Sequence, residues 1–424
     1  MEFLGIKKES NLLIRFLTAV LIVSFFAFSD YSNFVYPIKV IAVIGLLLKT
    51  GSIRLNGHLQ WILVFFAFSA LSFFWAGNRD SVLFYLAWFL QAALIAYAIG
   101  NSIRNEKDFD FVLKAMLAGG LILSIRVIGS TSPADLGTFR LGTNMGFNSN
   151  EMALKLAICS IVSLYFFREQ TNKWKKLFFV CTAALAIITV LFSESRKGIL
   201  MVIAGSFLYL LLSSKNARKL LRNTVIVILC LFVIYELMTR IEFLYQAFGH
   251  RFLLLFDIFE EDAYVGNSIV NRQNAVALGI SAFWEKPFFG YGFGNFQRAT
   301  GLHYYAHNNF VELLVDLGLI GFSIYYCFYV NVFVRLINAM KKKKKKAALF
   351  LSMLCVIVVI EYGLVSFNSD YVQMVIMLGY YASILKTDNN ESDCLLPDPI
   401  GAGSLSGSGI VNAKMKKTET HQRG

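Results

Sequence analysis

The sequence predicts an all-α polytopic membrane protein with about 12 transmembrane helices, and three observations carry that prediction. The 424-residue chain is 57% hydrophobic and only 16% charged, which is too apolar for a soluble protein of ordinary make-up. Its apolar residues gather into runs such as "NLLIRFLTAVLIVSFFAF" and "VIVILCLFVIYELM", about the length that crosses ~30 Å of hydrocarbon. The basic residues between the runs fall in alternate loops.

Taken in order, apolar segments lie near 12–28, 35–48, 59–76, 82–100, 110–129, 151–167, 175–192, 197–212, 223–239, 310–335, 347–366 and 368–385. Lys7, Lys8 and Arg15 before the first run resemble the start of a signal peptide. No small-residue cleavage site follows, so the segment reads as an uncleaved first span. Lys7 and Lys8, Lys49 with Arg54, Arg104 with Lys107, the 168–176 group, the 215–222 group, Lys341–Lys346 and Lys386 then share one side. The positive-inside rule makes that side the cytoplasm and places both termini there. The same rule accounts for "KKKKKK" and the net charge of +13 without nucleic acid.

Residues 1–386 therefore read as one transmembrane domain, and 387–424, with "GAGSLSGSG", as a disordered cytoplasmic tail. One large outward loop, about 240–306, falls between spans 9 and 10, and a smaller one covers about 130–149. The large loop holds amphipathic segments, "RIEFLYQAFGHRFLLLFDIF" and "SIVNRQNAVALGISAFW", suited to the interface plane or the roof of a cavity. Pro133 and Pro287 lie in these two loops, where the chain turns. Five cysteines sit inside apolar runs and Cys394 sits alone in the tail, so neither a disulfide framework nor a thiol metal site is expected.

The outward side breaks the charge rule. Arg140, Arg196, Lys197 and Arg272 lie there, with Arg126 and Lys155 near the outward ends of their spans. Cations at such depth are costly and call for a partner. Several guanidinium forks suit a diphosphate. Snorkelling of Arg126 and Lys155, and pairing of the others with Glu194, Asp135 or Glu151, would explain any one of them as well, but explains the set less well. "SESRKG" is a very short turn between two spans that holds Arg196 near the membrane surface. "FFGYGFGNF" lacks the strand and the spacing of a nucleotide-binding loop and reads as a tight turn after Pro287.

"HYYAHNNFVELLVDLGLIGF" places His307 and two asparagines directly before a long span. His303 and His307 share a helix face only if the segment is helical, and no third metal ligand has convincing spacing, so no metal is expected. Asn308 or Asn309 can cap the helix. His307, at a helix N-terminus and beside cations, should hold a proton less readily than free imidazole and could act as a general base or hydrogen-bond a phosphate. Gly318 and Gly321 read as close-packing positions.

Together, "NRQNAVALGISAFWEKPFFGYGFGNF" and "AHNNFVELLVDLGLIGF" resemble the signature of the O-antigen ligase and polymerase family of bacterial membrane glycosyltransferases. Arg272, Pro287, Gly290, Gly292, Gly294, His307, Asn308, Glu312, Gly318 and Gly321 occupy the family's places. "SRKG" matches a Ser-Arg-Gly segment at Ser195 and Arg196, with Lys197 inserted, and Arg140, Gly142, Asn148 and Asn150 match an Arg-Gly…Asn-x-Asn stretch.

The resemblance implies a fold like the C-type membrane glycosyltransferases, located in the bacterial cytoplasmic membrane with its site facing outward. It implies an enzyme acting on an undecaprenyl-diphosphate-linked oligosaccharide, with no metal or other cofactor. The acceptor would be a sugar chain, for a polymerase of surface polysaccharide, or lipid A–core, for a ligase; polymerase is the leading expectation. Membrane lipid, and a chain-length regulator protein, would be the further partners. His307, Arg272 and Arg196 are the catalytic candidates, and Arg140, Asn150, Lys155, Asn308 and Glu312 the substrate-binding ones. A flippase of the same lipid-linked sugars is the rival from another class, although it would want polar groups along a path through the membrane.

Overall fold

The computed structural model describes residues 3–51, 53–132, 140–214 and 263–385, with six isolated positions between 215 and 262. Every regular element among these residues is helical. The helices are α1 (Phe3–Ala27), α2 (Ser32–Thr50), α3 (Gly57–Leu71), α4 (Arg79–Ser102), α5 (Glu106–Gly129), α6 (Ser149–Glu169), α7 (Lys173–Phe192) and α8 (Arg196–Leu212). After them come α9 (Ala263–Glu285), the short α10 (Phe296–Thr300), α11 (Asn309–Lys341), α12 (Lys345–Ile360) and α13 (Asp370–Ile384).

By length and composition, 7 helices among the described residues can cross a membrane, so the chain is a multi-pass membrane protein. Helices α1–α8 and α11–α13 lie at the expected apolar segments. The 7 long and apolar enough to span are α3 to α7, α11 and α12, with α3 and α12 counted together with the short turns that follow them. The ninth expected span, 223–239, apart from isolated positions, lies outside the described residues, as do 241–262 of the large loop, Pro133, Asp135 and the tail. The second amphipathic segment is α9.

Asparagine caps six of these helices for one physical reason. A helix begins with four amide groups that have no carbonyl partner, and in an apolar surrounding each must find an acceptor. Asn56, Asn78, Asn105, Asn148, Asn172 and Asn308 cap α3, α4, α5, α6, α7 and α11, each side chain accepting from amides of the first turn.

Helix α6 forms the interior, packed against α7 and α8, while α13 is covered by α4, α11 and α12. Lipid is as apolar as leucine, so close approach through small residues replaces hydrophobic drive. A side chain at Gly198 of α8 would overlap Ala153 of α6, and one at Gly120 of α5 would overlap Cys159 of α6. Aromatic rings fill the middle of the bundle. Trp61 stacks on Phe328 at 4.7 Å and 11°, and Phe65 packs on Phe89, Phe293 and Tyr325.

The lysine run is partly an internal fastener. Lys345 pairs with Glu169, Lys346 with Glu106 and, at 2.9 Å, with Asp110, and Lys344 donates to the carbonyls of Ser383 and Leu385. At the opposite end of the bundle Arg126 pairs with Asp30 at 2.7 Å, and Lys39 with Asp370 at 3.3 Å.

Helix α11 is not continuous, which changes the reading of one glycine. Gly318 is more than a packing position: a side chain there would overlap Phe288, and its backbone (φ 63, ψ −170) breaks the helix. The freed carbonyls of Val315 and Asp316 accept from the amides of Tyr291 (2.9 Å) and Gly292 (2.8 Å). The amide of Leu319 donates to Pro287 at 2.7 Å and that of Ile320 to Phe288 at 3.3 Å. The glycine-rich turn is thus the hydrogen-bonding partner of a broken helix, as irregular backbone at such depth requires. Asp316 completes the clamp by accepting from the Gly294 amide at 2.7 Å. Gly321 also lies at a close approach, against Leu317 and Phe68.

Candidate active site

The clamp fixes the first half of α11, and with it the segment that carries His307. Asn308 is the N-cap, accepting from Phe310 and Val311 at 3.0 and 3.1 Å. Glu312, buried in the first turn, accepts from the Ala306 amide at 2.6 Å. These two candidates therefore hold the backbone on either side of His307. His307 itself adopts a left-handed φ of 54°, uncommon for a residue with a side chain and concentrated at functional positions. Its ring lies 4.1 Å from that of Tyr305. Residues 301–308 are irregular, so His303 and His307 do not share a helix face, and His303 is exposed.

Three segments supply the surroundings of His307. Half-burial of the imidazole, and then the charges of Arg272 and Lys197, push its pKa down to about 4, so the ring is neutral at ordinary pH and its free nitrogen can accept a proton. The expected loss of basicity is present, but burial leads it rather than charge. Arg272 is an exposed residue of α9. The preceding Asn271 carbonyl accepts from the Tyr304 hydroxyl at 3.3 Å, which ties α9 to the loop before His307. Lys197 belongs to the first turn of α8; its ammonium donates to the Gly363 carbonyl and lies within electrostatic reach of Arg272 and Arg140.

Arg140 extends the cluster toward α6, bonding Asn150 at 3.2 Å and the Ser193 carbonyl at 3.3 Å. Asn150 also accepts from Ser195 at 2.9 Å. Ser195 caps α8 through the Gly198 amide, so Arg140 and Asn150 hold the short α7–α8 turn that presents Lys197.

Arg272 acts on His307 electrostatically, and Arg140 joins the same group through Lys197, whereas other outward cations are engaged elsewhere. Arg196 is exposed, as Arg272 is, and directly precedes Lys197, whose charge bears on His307. Lys155 is buried and fully engaged, with Glu151 at 2.6 Å, the Phe25 carbonyl at 2.8 Å and Ser29 at 3.4 Å. Arg126 is likewise committed to Asp30. Lys197 had a signal in the sequence, its place in "SRKG", but the family pattern read it as an insertion. Tyr305 and Glu361 had weaker ones. Glu361 is a lone carboxylate in an apolar run, a pattern that by itself marks a functional candidate.

The charges that act on His307 and Lys197 are cationic, next to a neutral imidazole. That combination is suited to an anion of more than one charge and sets a proton acceptor beside it.

Residues 181–326 match the family model described as O-antigen ligase, so the resemblance to the O-antigen ligase and polymerase family holds for this segment. The match contains Lys197, Arg272, His307 and Glu312, whereas Arg140 and Asn150 precede it and Glu361 follows it. None of the curated proteins compared matches the chain.

Proposed function

We propose that this O-antigen ligase-like protein is a glycosyltransferase that polymerises surface polysaccharide from undecaprenyl-diphosphate-linked oligosaccharides on the outer face of the bacterial cytoplasmic membrane. The observation that carries the reading is that Arg272, on a helix tied to the His307 loop through Tyr304 and Asn271, and Lys197, held by the Gly363 carbonyl, both act electrostatically on a half-buried His307. In this reaction the diphosphate leaves as charge develops on its bridging oxygen. Fixed cations aimed at that oxygen lower the barrier, because they need not reorganise as the charge appears. Arg272 offers a bidentate fork and Lys197 a point charge held by the Gly363 carbonyl. His307 takes the proton of the acceptor hydroxyl that attacks the anomeric carbon, and Tyr305 keeps the imidazole in place. Arg140 and Asn150 set the turn that aims Lys197.

Transfer of the finished chain to lipid A–core is the second reading, favoured by the description of the matching family. Both use the same donor chemistry and differ in the acceptor.

The test uses purified protein with undecaprenyl-diphosphate repeat unit from the same cells. A ladder of longer lipid-linked chains, lost in His307→Ala and Arg272→Ala, supports the polymerase. Transfer only after lipid A–core is added replaces it with the ligase. A folded protein inert in both assays overturns glycosyl transfer and favours transport of lipid-linked sugars.

A further inference from the structure

A second polar cluster lies beside the site, inside the bundle. Glu361, 1% exposed, directly follows α12. Its carboxylate accepts three hydroxyls: Tyr326 at 3.0 Å, Tyr329 at 2.8 Å and Ser366 at 2.6 Å. Asn309, fully buried, accepts from the amides of Ser366 (2.9 Å) and Phe367 (3.1 Å), and donates to Tyr326 at 2.9 Å. The Tyr326 hydroxyl therefore joins the two residues. The Phe310 ring stacks on Tyr326 at 5.0 Å, so the hydroxyl has little freedom to turn elsewhere.

The cluster is costly. Each of these groups leaves water for an apolar interior, and removal of one partner leaves the others buried and unsatisfied. A stripe of apolar residues would close the α11–α12 contact with fewer demands. The bonds do, however, fix one particular piece of backbone. Glu361 and Ser366 close the 361–366 loop on itself, and Asn309 pins the end of that loop to the first residue of α11. Within the loop sits Gly363, whose carbonyl holds the Lys197 ammonium. Two residues before Asn309 sits His307.

We propose that Glu361 and Asn309 are positioning residues that set the separation between Lys197 and His307 through the 361–367 loop. The inference rests on the reading of Lys197 as a ligand of the leaving diphosphate. Glu361 touches no substrate; it acts by holding the carbonyl that aims the lysine. A displacement of about 1 Å at such a contact is enough to cost a large rate factor.

The test is a double-mutant cycle between Glu361→Gln and Lys197→Ala, read as binding of undecaprenyl diphosphate to the full-length protein in detergent. A residue that works through Lys197 loses its effect once Lys197 is gone, whereas a general structural residue does not. Glu361→Gln is expected to weaken binding about tenfold with Lys197 present and less than about twofold in Lys197→Ala. Tyr326→Phe, which keeps the ring and removes one hydroxyl, gives the same pattern at smaller amplitude and decides the matter if Glu361→Gln does not fold. Equal weakening in both backgrounds, or no weakening in either, overturns the proposal. Sugar transfer is measured separately. Wild-type protein that binds the lipid but transfers nothing refutes the function and leaves the cycle readable. Transfer with an additive cycle refutes only the positioning role, and wild-type protein that binds no undecaprenyl diphosphate overturns both.

Discussion

Replacing Gly318 by alanine tests whether the glycine-rich turn exists to satisfy a broken helix. Two costs arise. The backbone at φ 63, ψ −170 lies in a region essentially confined to glycine, worth roughly 1–3 kcal/mol for another residue. The new methyl group would overlap the Phe288 carbonyl, so the turn must move and release the Leu319 and Ile320 amides from Pro287 and Phe288. Each amide left unpaired in an apolar setting costs about 1–3 kcal/mol. The sum, about 5 kcal/mol, is comparable to the whole net stability of many proteins, ~5–15 kcal/mol.

Gly301 provides the reference. Its φ is also left-handed, at 71°, but nothing lies within 4 Å of an added methyl group, so Gly301→Ala isolates the backbone strain at about 1–2 kcal/mol. The assay is the fraction of detergent-purified protein that remains monodisperse after stepwise heating. Gly318→Ala should lose its native elution peak well below wild type, with a shift more than about twice that of Gly301→Ala. Equal shifts would refute the clamp, because strain alone would then explain the glycine.

The remaining predictions concern the site. Above about pH 6.5 His307 is neutral in both folded and unfolded chains and adds no pH dependence to stability. As pH falls from 6.5 toward about 4, the unfolded chain binds a proton that the folded one resists, so stability drops, and His307→Gln should flatten that part of a pH–melting curve. Transfer by the neutral imidazole should persist well below pH 6.5 in wild type. In Arg272→Gln, which removes one depressing charge, the acid limb should move upward; a pH–rate profile with no such movement would count against His307 as the base. Lys197→Ala should reduce transfer by about 100-fold and Arg196→Ala by less than about threefold, read as initial rates on the same lipid-linked donor. Asn308→Ala removes a helix cap and should cost about 1 kcal/mol, seen as a lower melting temperature.

The sequence by itself determined the class of this protein, because membrane insertion depends on local quantities: the length of apolar runs and the charges between them. It also pointed to His307, Arg272, Arg196 and Arg140 as one candidate set, through motifs distributed over the chain. Only the tertiary structure decided which outward cations remain for a ligand. Lys155 and Arg126 differ from Lys197 and Arg272 not in residue type but in having Glu151 and Asp30 as ion-pair partners. In the first case the acid is one helical turn away, and in the second it is 96 residues distant. The same holds for Gly318 and for Glu361. Their partners, the 287–292 turn and the tyrosines of α11, come together only when the bundle closes, and hydrogen bonding between distant segments leaves no periodic mark on the chain.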